Sequence, residues 1–126
     1  MSDNIPLSYV TTKLPLFIGK KDAWEQWSEV FLARAKTKGY KHLLVDDSVV
    51  IPRPGTTGLS EAEKAIVEKN DEAYGDLISA MDLKKGKVAF AVVKGTKTVE
   101  YPDGNVKEAW KKLKAKYHPN TTPSLT

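Results

Sequence analysis

Apolar residues recur along this chain mainly with the three-to-four-residue period of a helix, in blocks separated by proline and glycine. In the first block Trp24, Trp27, Phe31 and Ala35 fall on one face. Asp22 and Glu25 have the spacing of a capping box at its start. Lys36 and Lys38 put cations at its carbonyl end, and Gly39 suits the left-handed position that follows. The pattern predicts a helix over 22–38. A second helix is expected over 61–82, opened by a capping box of Ser60 and Glu63, with Ile66, Ala73, Tyr74, Leu77, Ile78 and Met81 on one stripe. Gly75 lies inside it, at a cost of about 1 kcal/mol relative to alanine, and is expected to admit the close approach of another helix. A further helix follows the Asp103-Gly104 turn. Asn105 caps toward Glu108, Val106, Ala109, Trp110, Leu113 and Tyr117 form the stripe, and Pro119 ends it.

The intervening segments are less regular. Residues 1–15, with Pro6 and Pro15, read as an extended arm, and 120–126 as a polar, flexible tail. Leu43-Leu44-Val45 suits either a helical turn or a short extended piece. Val49-Val50-Ile51 is β-branched, precedes Pro52 and is expected to be extended. Residues 52–58 read as a long Pro/Gly loop. Lys87–Val93 fits a short helix, or a strand pairing with 98–101 in a hairpin within 88–101. The expected fold class is all-α, a small bundle of four to five helices over 16–119. Its expected core is Trp24, Trp27, Phe31, Leu77, Ile78, Trp110, Leu113 and Tyr117. The tryptophans read as core because each buried aromatic removes roughly 150–250 Å² from water.

With 126 residues, the chain suits one domain with a core of its own. The absence of cysteine excludes disulfides, thiolate nucleophiles and zinc knuckles within this sequence, and fits a reducing compartment such as the cytoplasm. The longest apolar run, Val88 to Val93, is far short of the roughly 20 residues a bilayer span requires. Met1 to Asn4 has no basic or apolar signal character. No membrane partner is expected.

Catalytic and metal-binding patterns are missing from the sequence. His42 and His118 have no spaced partners, and Asp46-Asp47 reads as a solvated acidic loop. There is no Gly-x-Ser-x-Gly elbow, no phosphate loop ending in Gly-Lys-Ser/Thr and no Asp-Thr/Ser-Gly signature. No enzyme activity, metal or cofactor is expected. Net charge is +4, which permits weak attraction to nucleic acid or an anionic membrane and demands neither. Lysines gather at Lys84, Lys85, Lys87, Lys94 and Lys97, and again at Lys107, Lys111, Lys112, Lys114 and Lys116. They read first as solvated helix faces. The competing reading makes the chain a small basic helical nucleic-acid-binding domain, with Lys107, Lys111, Lys112 and Lys114 on phosphate.

Three stretches together resemble the Gag polyprotein of copia-type LTR retrotransposons. Leu14-Pro15-Leu16-Phe17-Ile18-Gly19, leading to Trp24, Trp27 and Phe31, is similar to that family's apolar-aromatic opening and tryptophan-bearing helix. Ala73 to Met81 looks like its next apolar helix, ahead of a short variable one. Ala109-Trp110-Lys111-Lys112-Leu113-Lys114-Ala115-Lys116-Tyr117 looks like its A-W-x-x-L-x-x-x-Y helix. The resemblance covers about residues 14–119. It implies a capsid N-terminal-domain-like bundle and favours helix over hairpin at 84–94. The implied role is structural: self-assembly through a homo-oligomeric lattice into a virus-like particle shell around retrotransposon RNA, with RNA contacts mostly outside this chain. A complete Gag of the family continues into a second capsid domain. The loop at 46–59 and the stretch at 95–104 depart from the pattern. Candidate assembly contacts are Leu43, Leu44, Ile51 and Arg53, the apolar material beside the proline-rich loop.

Overall fold

The computed structural model describes residues 14–119 and holds five helices among them. They are α1 (Lys21–Lys38), α2 (Lys41–Val45), α3 (Glu61–Ser79), α4 (Lys87–Lys94) and α5 (Val106–Tyr117). The molecule is an all-α bundle. The arm at 1–13 and the tail at 120–126 lie outside the described residues; Leu14 and Pro15, at the arm's end, are half-buried. Every other helix packs against α5.

The core joins the apolar stripes of the three longer helices. Trp24, Trp27, Phe31, Leu77, Trp110, Leu113 and Tyr117 are buried as expected, while Ile78 is half-buried at the edge. Trp110 is ringed by aromatic groups of α1. Its centroid lies 5.2 Å from that of Trp24, 5.9 Å from Trp27 and 5.7 Å from Phe31. Removing such a ring from water contributes about 4–6 kcal/mol before conformational entropy is deducted.

Phe17 closes this aromatic group from outside the helices. Its ring meets Trp24, Trp27 and Tyr117 at 5.6, 4.9 and 4.9 Å. Its backbone is tied to the end of α3: Phe17 N–H donates to Ala80 O at 2.7 Å, and Asp82 N–H donates to Phe17 O at 3.0 Å. Trp27 Nε1–H adds a bond to Pro15 O at 3.0 Å. These ties correct two expected boundaries. The helix expected over 61–82 stops at Ser79, because the chain turns out to pair with Phe17. The capping box at Asp22 does not form. The chain leaves Phe17 through Gly19 at φ 76° and an extended Lys20, so α1 begins one residue earlier and Asp22 sits in its first turn. There a carboxylate still suits the helix dipole.

The other caps form as expected. Ser60 Oγ accepts from Glu63 N–H at 3.1 Å, and Glu63 Oε1 accepts from Ser60 N–H at 2.8 Å. Asn105 Oδ1 accepts from Glu108 N–H at 3.2 Å. Leu43-Leu44-Val45 is helical, in α2. At 88–101 the helix, not the hairpin, is present. Ala89 and Val93 are buried on the inner face of α4 while Ala91 between them is exposed, a pattern that suits a helix, since a strand would put 89, 91 and 93 on one face. Residues 98–101 close a local turn, Thr98 N–H donating to Tyr101 O at 3.0 Å.

Gly75 does not serve a helix contact. It is exposed, and a Cβ placed on it would meet nothing within 4 Å. The close approach is at Gly104, with φ 92°, where a Cβ would lie 2.3 Å from the Tyr74 ring.

Candidate assembly and basic surfaces

Leu43 and Leu44 are the inner residues of α2, 0% and 2% exposed, and Ile51 is 3% exposed. They belong to the core and are not available to another molecule, which corrects the expectation that the helical stripes leave them spare. The physical reason is that α2 is a short helix lying between α1 and α5, so its own inner face completes the bundle. Tyr101 fastens this region by donating its hydroxyl to Ile51 O at 2.8 Å.

Arg53 is exposed, on the proline-rich loop. Thr56 N–H and Oγ1–H both bond Arg53 O, at 3.2 and 2.8 Å, so the loop is a defined turn. With Pro54, Thr57, Val99 and Glu100 it lines a shallow cleft of about 460 Å³. Val50 and Val99, 74% and 95% exposed, stand on the two segments that meet there. The apolar groups that accompany Arg53 at the surface are therefore these valines.

The basic candidates divide in the same way. Lys107 is buried, and its Nζ donates to Asp46 O at 2.6 Å. Burial pushes its ammonium below the usual lysine range, against the opposing pull of the nearby Asp47 carboxylate. Lys107 is thus a tie between α5 and the chain end of α2, and is withdrawn from phosphate contact. Lys111, Lys112 and Lys114 are exposed, with Lys111 Nζ 3.6 Å from Asp47 Oδ1. Lys84, Lys85, Lys87, Lys94 and Lys97 are also exposed.

Two polar arrangements escaped the sequence reading. Asn70 is fully buried: its Nδ2–H donates to Gly104 O at 3.0 Å, and its Oδ1 accepts from Val106 N–H at 2.9 Å. It thereby holds the turn into α5, supplying one of the partners that the first helical N–H groups lack. Its place three and four residues before Ala73 and Tyr74, on their stripe, was the available signal. The second arrangement centres on Asp76. Its Oδ2 accepts from the Tyr40 hydroxyl at 2.6 Å and from Lys38 Nζ at 2.8 Å, with the buried Arg34 Nε at 4.0 Å. Burial, with the Asp76 carboxylate adding to it, pushes the Tyr40 phenol far above its ordinary value. The network fastens the end of α1 to α3.

Among the described residues no three or more His, Cys, Asp or Glu side chains are grouped to hold a metal ion. Among them, too, no helix is long and apolar enough to cross a membrane. No family model matches the chain, and neither a curated protein nor a solved structure does so.

Proposed function

We propose that the chain is a Gag-like capsid domain of the copia type, a structural protein without enzymatic activity that assembles in the cytoplasm into a virus-like particle shell enclosing retrotransposon RNA. One observation carries this reading. The three stretches that bear the resemblance meet in a single core: Phe17 packs on Trp24 and Trp27, pairs with the end of α3, and touches Tyr117, while Trp110 fills the ring of α1 aromatics. Residues spaced far apart in sequence thus serve one shared framework, as the components of a family-wide fold would. The lattice contacts assigned to it are Arg53 and the exposed valines of the two-loop end. Weak contacts of this kind suffice because many act together in a closed shell.

Electron microscopy of the protein as its gene encodes it, with whatever precedes Met1 or follows Thr126, tests the proposal. Closed particles support it. Dispersed single molecules at every concentration and ionic strength would remove it. The competing nucleic-acid-binding reading rests on Lys111, Lys112 and Lys114, now without Lys107.

A further inference from the structure

The pairing of Phe17 with the end of α3 joins two lysine-bearing segments that lie more than sixty positions apart in sequence. A Cβ on Gly19 would lie 3.4 Å from Gly86 Cα and 3.5 Å from Lys85 O. Lys20 and Lys21 therefore flank Lys84, Lys85 and Lys87, and all five are exposed. Lys116 joins them from α5. Its Nζ is 5.8 Å from the Tyr117 ring centroid, and Tyr117 packs on Phe17 with its hydroxyl 3.8 Å from the same Gly19 position. The carboxylates nearby are Asp22, exposed in the first turn of α1, and Asp82. Asp82 Oδ1 already accepts from the N–H groups of Lys84 and Lys85, at 2.8 and 3.0 Å. Cations dominate this end of the molecule.

The same end carries apolar groups in solvent. Leu16 is 54% exposed, Leu83 68% and Val88 59%. Leu83, Lys84 and Lys85 form a turn closed by Gly86 N–H donating to Asp82 O at 2.7 Å, so leucine and lysines are presented together at the tip. We infer that this end, where Gly19–Lys21 meets Leu83–Val88, is a docking surface for a membrane rich in anionic lipid.

Charge complementarity selects an anionic partner, and the apolar tips select a bilayer. Leucine and valine gain nothing along a phosphate backbone in water, but they bury into the boundary between headgroups and acyl chains while lysine ammonium groups stay with the headgroups. A single-stranded nucleic acid would be met instead by aromatic platforms and arginine, and the exposed groups named here include neither. Such association lies on the surface and needs no spanning helix. It departs from the sequence expectation of no membrane partner and builds on the weak attraction to an anionic membrane that the net charge permits. It does not rest on the assembly reading, since a monomer presents the same surface.

The test is co-sedimentation of the full chain with vesicles of phosphatidylcholine alone, or with about one-third phosphatidylserine, at physiological ionic strength. Binding is expected only to the anionic vesicles, and is expected to weaken as salt rises. Joint substitution Lys84→Gln, Lys85→Gln and Lys87→Gln should weaken it about a hundredfold, near fivefold per lysine. Leu83→Ser with Val88→Ser should also weaken it several-fold, whereas Lys111→Gln with Lys114→Gln, on α5, should leave it unchanged. Thermal melts check folding, and Leu16→Ser replaces the Leu83 variant if that one fails to fold. Equal binding to both vesicle types, no binding to either, or indifference to the lysine or leucine changes would overturn the inference. So would binding to polyuridylate that needs the lysines but not Leu83, if it is tighter than vesicle binding; that result would assign the surface to nucleic acid.

Discussion

Asn70→Ala should be among the most damaging single changes in the chain, although it removes only a small polar group. The side chain is 0% exposed and satisfies two backbone groups, Gly104 O and Val106 N–H. Alanine cannot reach either, and Val106 N–H is at a helix start, where no intrahelical acceptor exists. Each buried group left without a partner costs about 1–3 kcal/mol, so the pair predicts a loss of about 2–6 kcal/mol. For a domain of this size that lowers Tm by about 10–25 °C. Asn70→Asp should also destabilise, because it replaces the donor to Gly104 O with an oxygen that repels it. Asn105→Ala is the contrasting variant. It deletes a single exposed cap bond to Glu108 N–H, worth about 1 kcal/mol. Urea denaturation and thermal melts of the three variants measure these differences. An Asn70→Ala midpoint within experimental scatter of the wild type, or a loss no larger than that of Asn105→Ala, would show that the two Asn70 bonds do not hold the turn into α5.

Trp110→Ala should cost about 3–5 kcal/mol in urea denaturation, the usual range for deleting a large core aromatic, and an unchanged midpoint would place Trp110 outside the core. Replacing residues 53–58 with a Gly-Ser segment of equal length should leave the melt nearly unchanged but reduce particle counts from the encoded protein; intact particles would move the lattice contacts elsewhere. Acid should erase the benefit of Asp82. The N–H groups of Lys85 and Lys84 hold its carboxylate below the ordinary range, so the stabilisation is present above the unfolded value near 4 and is lost as pH falls through the lower folded value. Thermal melts of wild type and Asp82→Asn should therefore differ at neutral pH and converge in strong acid; a constant gap would contradict this.

The three longer helices were legible because each carries a helical apolar stripe, and two of them have caps written in the sequence at Ser60 and Asn105. Their ends were less so. Both the start of α1 and the end of α3 are set by Phe17, whose partner lies 64 positions away in the parallel bridge to Met81, and no local pattern records that pairing. The surface candidates failed for a related reason. Leu43, Leu44 and Ile51 looked spare because a five-residue helix is too short to show a stripe, yet α2 fills the gap between α1 and α5. Lys107 looked like one more solvated lysine, and only the fold brings Asp46 O within reach of its ammonium. The basic end was invisible as a unit, since Lys20 and Lys84 become neighbours only through Gly19 and Gly86.

Sedimentation velocity of the encoded protein over a wide concentration range separates a shell-forming protein from a dispersed one. Fast-sedimenting particles in equilibrium with a small pool of single chains are expected. A single slow boundary from the encoded protein under every condition, with no heavier species, would contradict assembly as the function of this domain.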